Sequence, residues 1–182
     1  YLGHPRLMDL AARAGAEVVH KPFDIRQVFG ALGTKPPAER PEPIRRHRER
    51  ELLRWSRRLN MPITLHPAHF PVPADQAAGM VIAADRQGHD PGPLAFAVLR
   101  AVWAEDKNID DPDTLADIAA GLGLDGERLL ADGDRAEIRE LYAANTREAI
   151  ARGVFGAPTM IVDGEPFWGQ DRLDFVAEAL GL

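Results

Sequence analysis

The chain has no cysteine among its 182 residues. It therefore cannot itself form a disulfide, a thiolate metal site or a redox-active thiol pair. That composition fits a cytoplasmic protein, which is the expected location. Long apolar runs are also missing, and none approaches the roughly 20 residues needed to cross a bilayer, so no membrane partner is expected. Positive charge is short as well: 22 Lys and Arg stand against 28 Asp and Glu, a net charge of −6. That balance argues against general nucleic-acid binding. No Gly-x-Gly-x-x-Gly or phosphate loop occurs, and no repeat of fixed period is visible. What remains is ordinary: 45% apolar and 27% charged residues, the composition of one globular domain, at this length with room for a large insertion.

The most informative stretch is Gly153 to Leu182. Gly156-Ala157-Pro158 is a tight backbone feature. Thr159–Val162 is a short apolar strand pattern, Asp163-Gly164 is a strong hairpin turn, and Glu165–Trp168 is the return strand. From Asp171 to Leu180, apolar residues recur at helical spacing, with acid in the first turn.

At the other end, Leu2 to Ala14 reads as a helix stopped by Gly15. Ala16–Phe23 follows as a strand through Val18-Val19 into Lys21-Pro22. From Asp24 to Arg152 the periodicity is helical throughout. Gly33–Pro43 is a proline-rich loop before a basic helix, and Pro62–Pro73 is irregular. Helices are expected at Ala74–Gln87, Pro93–Glu105, Asp113–Gly121 and Arg135–Arg152. Asp111-Pro112-Asp113 is a good helix start, because proline is tolerated in the first turn and acids suit the dipole.

The tail GVFGAPT…FWGQDRL resembles the end of the 2-hydroxychromene-2-carboxylate isomerase family, glutathione-dependent relatives of kappa-class glutathione transferases and bacterial disulfide oxidoreductases. The opening YLGHPRLMDLAARAGAEV resembles the same family, and the middle, with KPFDIRQVF and LLRWSRRLNMPI, matches more loosely. The resemblance implies an α/β architecture, a thioredoxin-like domain interrupted by a helical insertion. Residues 1–23 and 153–182 would form that domain, and residues 24–152 the insertion. Its first strand and active-site loop would precede Tyr1, together with the serine expected to stabilise the thiolate, so no catalytic residue is named.

The resemblance further implies glutathione as cofactor, a small aromatic carboxylate as substrate, and a homodimer. Ala157 and Pro158 would pair with the cysteinyl part of glutathione through a cis peptide bond, although only about 5–6% of X–Pro bonds are cis in general. Trp168, Gly169, Gln170 and Asp171 would hold the γ-glutamyl end, with free helix-start amides for its carboxylate and Asp171 for its ammonium. A helix-capping Asp171 and a core-packed Trp168 are the structural alternatives. Phe70 would lie over the substrate. The expected activity is glutathione-dependent cis–trans isomerisation of 2-hydroxychromene-2-carboxylate or a similar aromatic-degradation intermediate. A kappa-type transferase, a thiol–disulfide oxidoreductase with its cysteines upstream, and a non-catalytic glutathione-binding module stay open beside it.

Other candidates carry less. Arg40–Arg58 holds eight arginines against three glutamates and reads as a solvated, ion-paired face without a site. His66 and His69, with Asp75, lack the frame a zinc ion needs, so no metal is expected. Trp103, in line with Leu99 and Val102, reads as core.

Overall fold

The computed structural model describes all 182 residues. Nine helices and one hairpin follow in chain order: α1 (His4–Ala14), α2 (Ile25–Leu32), α3 (Glu42–Leu59), α4 (Asp75–Arg86), α5 (Pro91–Trp103), α6 (Pro112–Ala120), α7 (Gly126–Gly133), α8 (Ala136–Ala151), β1 (Thr159–Val162), β2 (Glu165–Trp168) and α9 (Leu173–Ala179). A 3-10 turn, Gln170–Arg172, leads into α9.

Local chemistry fixes most of these boundaries. Aspartates cap four helix starts by accepting a backbone N–H: Asp24 from Arg26 at 2.8 Å, Asp90 from Gly92 at 2.9 Å, Asp111 from Thr114 at 3.1 Å and Asp125 from Arg128 at 3.0 Å. Each satisfies a donor that the helix itself cannot pair. At the end of α1, Gly15 adopts φ 63, the left-handed conformation that closes a helix. Asp163 and Gly164 both have positive φ, 49 and 90. That is the two-residue turn whose twist matches antiparallel strands, and β1 pairs with β2 from Thr159↔Trp168 to Val162↔Glu165.

Helix α4 is the centre of the helical region. Every residue from Ala77 to Ala84 is buried, so α4 is enclosed on all sides rather than amphipathic. Small residues make this possible. A Cβ on Gly79 would stand 2.7 Å from the Gly133 carbonyl oxygen, so α4 and α7 meet backbone to backbone. Met80, Leu94, Leu115 and Leu129, all essentially inaccessible, fill the core around that crossing. A second, small core joins α1 to the tail through Leu10, Met160, Leu173 and Val176.

Two expectations need correction. Ala16–Phe23 is not a strand: from Glu17 to Phe23 it forms no backbone–backbone hydrogen bond. An apolar cleft of about 450 Å³ lies between this segment and β1, lined by Val18, Val19, Thr159, Met160 and Ile161 among others. Alternation makes the chain extended, but only a ladder makes a strand. Helices α2 and α7, of eight residues each, are additions within the stretch read as helical throughout, too short to stand out as separate periodic windows.

Helix α3 contrasts with α4. None of its 18 residues is buried. It touches the body through cation–π contacts seven residues apart: Arg6 lies 4.9 Å from the Trp55 ring centre, and Arg48 lies 5.8 Å from that of Trp103.

Candidate functional site

The residues expected to hold glutathione come from two tail segments, and the hairpin brings these together. The Gly169 N–H donates to the Pro158 carbonyl at 3.0 Å, joining the Gly-Ala-Pro step to the Trp-Gly-Gln-Asp step. The Trp168 indole lies over Gly156, where any Cβ would collide with its ring nitrogen. Phe155 packs on the same indole, with ring centres 4.9 Å apart. Thr159 closes the turn by donating its hydroxyl to the Gly156 carbonyl at 2.7 Å. The Ala157-Pro158 bond is cis.

Three backbone positions in this unit are open. Ala157 is exposed, and neither its N–H nor its C=O has a partner in the chain. The N–H groups of Gln170 and Asp171 likewise have none. Backbone groups away from secondary structure ordinarily find partners in protein or water, so a short extended peptide with an anionic end could satisfy all three.

Arg6 holds this loop in place, and nothing in the sequence pattern marks it. Its guanidinium donates to the Gln170 carbonyl and, at 2.7 Å, to Gln170 Oε1, while Trp55 covers its face. Gly3 fits closely, since a Cβ there would come 2.8 Å from Gln170 Cβ. The start of α1 and the tail loop therefore form one packed unit. Asp171 is not a cap: Gly169, at φ 106, occupies the N-cap position, with no side-chain hydrogen bond. The Asp171 carboxylate folds back over Gly169 and lies 3.1 Å from the Arg172 guanidinium. Trp168 is 46% exposed, which places it on the site's surface rather than in the core.

Beside this unit lies a cluster that sequence patterns do not reveal. His4, in the first turn of α1, stacks on Phe96 at 5.2 Å, and Tyr1 stacks on the same ring at 5.8 Å. His20, from the extended segment, places its Nε2 3.4 Å from His4 Nε2. Burial, then the charge of His20, pushes the His4 pKa down to about 4. Burial also lowers that of His20, against the pull of Asp90. Burial raises the Tyr1 phenol.

Phe70 stands apart from the tail residues. It packs on Trp103, with ring centres 4.7 Å apart. Trp103 rests against the helical core, as its helix face suggests, and also presents its ring to Phe70 and Arg48. His66 lies 3.7 Å from Glu49, and no three metal-ligating side chains come together.

This architecture, mostly helical with a two-stranded sheet, matches known proteins along its length. Residues 1–181 match the DSBA-like thioredoxin domain family. A 2-hydroxychromene-2-carboxylate isomerase from Sphingobium xenophagum is 31% identical over 181 residues, 99% of this chain and 91% of that protein. A solved structure of a 2-hydroxychromene-2-carboxylate isomerase superposes with a TM-score of 0.82 at 28% identity, covering 100% of this chain and 88% of the other. A kappa 2 glutathione S-transferase from Caenorhabditis elegans is 36% identical over 94 residues, 46% of this chain and 42% of that protein. With family match, superposition and tail motif in agreement, the chain belongs to the DSBA-like thioredoxin domain family, in its 2-hydroxychromene-2-carboxylate isomerase branch.

Proposed function

We propose that the protein is a glutathione-dependent isomerase acting on 2-hydroxychromene-2-carboxylate or a closely related conjugated aromatic acid. The observation that carries this is the set of open backbone groups at Ala157, Gln170 and Asp171, on two segments joined by the Gly169–Pro158 hydrogen bond and anchored at Gln170 by Arg6. Their chemistry fits glutathione. Ala157 offers a donor and an acceptor to the cysteinyl residue, as an edge strand does to an added one. The amides of Gln170 and Asp171 face the γ-glutamyl carboxylate, and Asp171 faces the adjacent ammonium.

When bound, glutathione would supply a thiol nucleophile whose reversible addition to the conjugated acid frees rotation about a carbon–carbon bond. The protein's part is placement. Arg6 occupies the Gln170 carbonyl, while the N–H groups of Gln170 and Asp171 keep no partner in the chain and stay available to a ligand. Gly156 lets Trp168 lie flat beside Ala157, walling the site with apolar surface that excludes water. We further take residues 1–23 and 153–182 as the thioredoxin-like domain and 24–152 as its helical insertion.

The test is an absorbance assay with the chromene acid, with and without glutathione. Isomerisation that accelerates only with glutathione is the expected result, and a rate indifferent to it would overturn the proposal. Conjugation of a generic electrophile without isomerisation would favour a kappa-type transferase, which the C. elegans relative keeps in view. In calorimetric titration, Asp171→Ala should weaken glutathione binding by about 1.5–3 kcal/mol, as for a hydrogen bond to a charged group. Stability should fall by under about 1 kcal/mol, because the Arg172 pair it loses is exposed.

A further inference from the structure

The basic helix α3 carries one arginine unlike its neighbours. Arg46 lies 3.5 Å from Glu42, Arg54 pairs with Glu51, and Glu49 faces His66 at 3.7 Å. Two of the three acids of the helix are thus paired with other arginines. Arg48 has no carboxylate within 4.0 Å and makes no hydrogen bond within the chain, yet it is half-buried beside Trp103. Burial lowers its pKa, with Glu49 opposing and Arg40 adding to that effect. A guanidinium partly withdrawn from water, with Glu49 acting on it only from beyond ion-pair distance, is costly unless an anion reaches it directly.

The surface beside it suits a flat ring. Phe70 is 43% exposed while packed on Trp103 at an interplanar angle of 50°. The segment leading to Phe70 is anchored at two points. The Thr64 N–H donates to the Trp103 carbonyl at 2.7 Å, and the Ala68 N–H donates to Asp106 Oδ1 at 2.7 Å. Phe70 itself closes a turn onto the Pro67 carbonyl at 3.1 Å. A pinned aromatic platform next to an unpaired planar cation is a preorganised receptor for an aromatic carboxylate. The ring stacks on the platform, and the carboxylate takes the guanidinium fork.

We propose that Arg48, with Trp103 and Phe70, forms the subsite that receives the carboxylate of a planar aromatic acid. This deepens the proposed function and rests on it only in taking such an acid as the substrate. The basic helix is then more than a solvated face. Its standing clear of the core leaves Arg48 free to meet the ligand.

The probe is naphthoate, with naphthamide as its uncharged counterpart, titrated calorimetrically into the protein. Wild type should bind naphthoate more tightly than naphthamide. Arg48→Gln should weaken naphthoate about tenfold to a hundredfold, the range for a charge-assisted hydrogen bond, and leave naphthamide and glutathione unchanged. Phe70→Ala should weaken both aromatic probes. In turnover, Arg48→Gln should raise KM for the aromatic acid with little change in kcat, the mark of lost uniform binding. Equal binding of naphthoate by wild type and Arg48→Gln, or no wild-type preference for the acid over the amide, would overturn the assignment. The two proposals fail separately. Arg48-dependent naphthoate binding with glutathione-independent turnover would sink only the glutathione reading. Glutathione-dependent turnover with an unchanged KM in Arg48→Gln would sink only this one.

Discussion

Helix α4 and the β1–β2 tail use glycine and apolar residues in opposite ways. In α4, eight consecutive residues are buried, and Gly79 brings its backbone against Gly133. In the tail, Phe155, Ile161, Trp168 and Phe175 are all exposed, and Gly156 admits a side chain instead of a backbone. The helical core has closed its valences, while the tail keeps backbone donors and apolar faces available. Stability is therefore expected to concentrate in the first region and ligand binding in the second, as it does where sites sit on less protected elements.

The comparison can be broken most forcefully at Gly79. A methyl there would meet the Gly133 carbonyl oxygen at 2.7 Å and its carbonyl carbon at 3.1 Å. Backbone on both sides cannot turn aside, so the helices must separate. Gly79→Ala should cost about 3 kcal/mol, the upper part of the range for overpacking, seen as a lower urea midpoint. Glutathione affinity should be unchanged wherever the variant is folded. A fully stable Gly79→Ala would mean that the α4–α7 crossing is not the anchor of the fold.

Gly156→Ala sharpens the contrast. Its methyl would strike the Trp168 indole, but an exposed side chain can swing away, so the stability loss should be only about 1–2 kcal/mol. The displaced indole borders Ala157, and glutathione affinity should fall about tenfold, an effect comparable with the lost stability. A variant that loses stability but keeps its affinity would remove Trp168 from the binding wall.

What the sequence disclosed follows from the range of the forces involved. Asp163-Gly164, Gly15 and Asp111 act within a few residues, and the structure has the hairpin, the α1 stop and the α6 cap where those residues point. The joining of Pro158 to Gly169 follows from that hairpin. Non-local contacts are different. Arg6 meets Gln170 across 164 positions, and no periodicity encodes that pairing. Val18-Val19 has the composition of a strand, but strand formation depends on what lies alongside, and here β1 stands across a cleft. Arg48 resembles the other arginines of its helix in sequence, because sequence shows the glutamates nearby, not which guanidinium the fold half-buries. His4 and His20, sixteen residues apart on a helix and an extended segment, gave no spacing signal at all.

The smallest effect tests the border between the two regions, where His4 and His20 meet. An unfolded histidine titrates near 6.5, whereas burial, and then the charge of His20, lowers His4 to about 4 in the fold. Between those values the unfolded chain binds more protons than the native one, so stability falls as pH drops through that window. Above about pH 6.5 both states are neutral and the pair contributes no slope. His20, also lowered, acts in the same direction. Asp24 is separable. Its burial would raise the carboxyl, but hydrogen bonds from Arg26 and Gln27 outweigh that and hold it below the usual value. Its contribution is therefore present at neutral pH and lost only as pH falls into the acid range below about 4. Allowing for the partial exposure of the ring, His4 should account for about 1 kcal/mol of the stability lost between pH 7.5 and pH 5. Urea unfolding of wild type and His4→Gln at those two pH values measures it. The variant should lose less stability on acidification, and parallel losses in the two proteins would show that His4 protonates freely in the fold and that the border between helical core and tail is open to water.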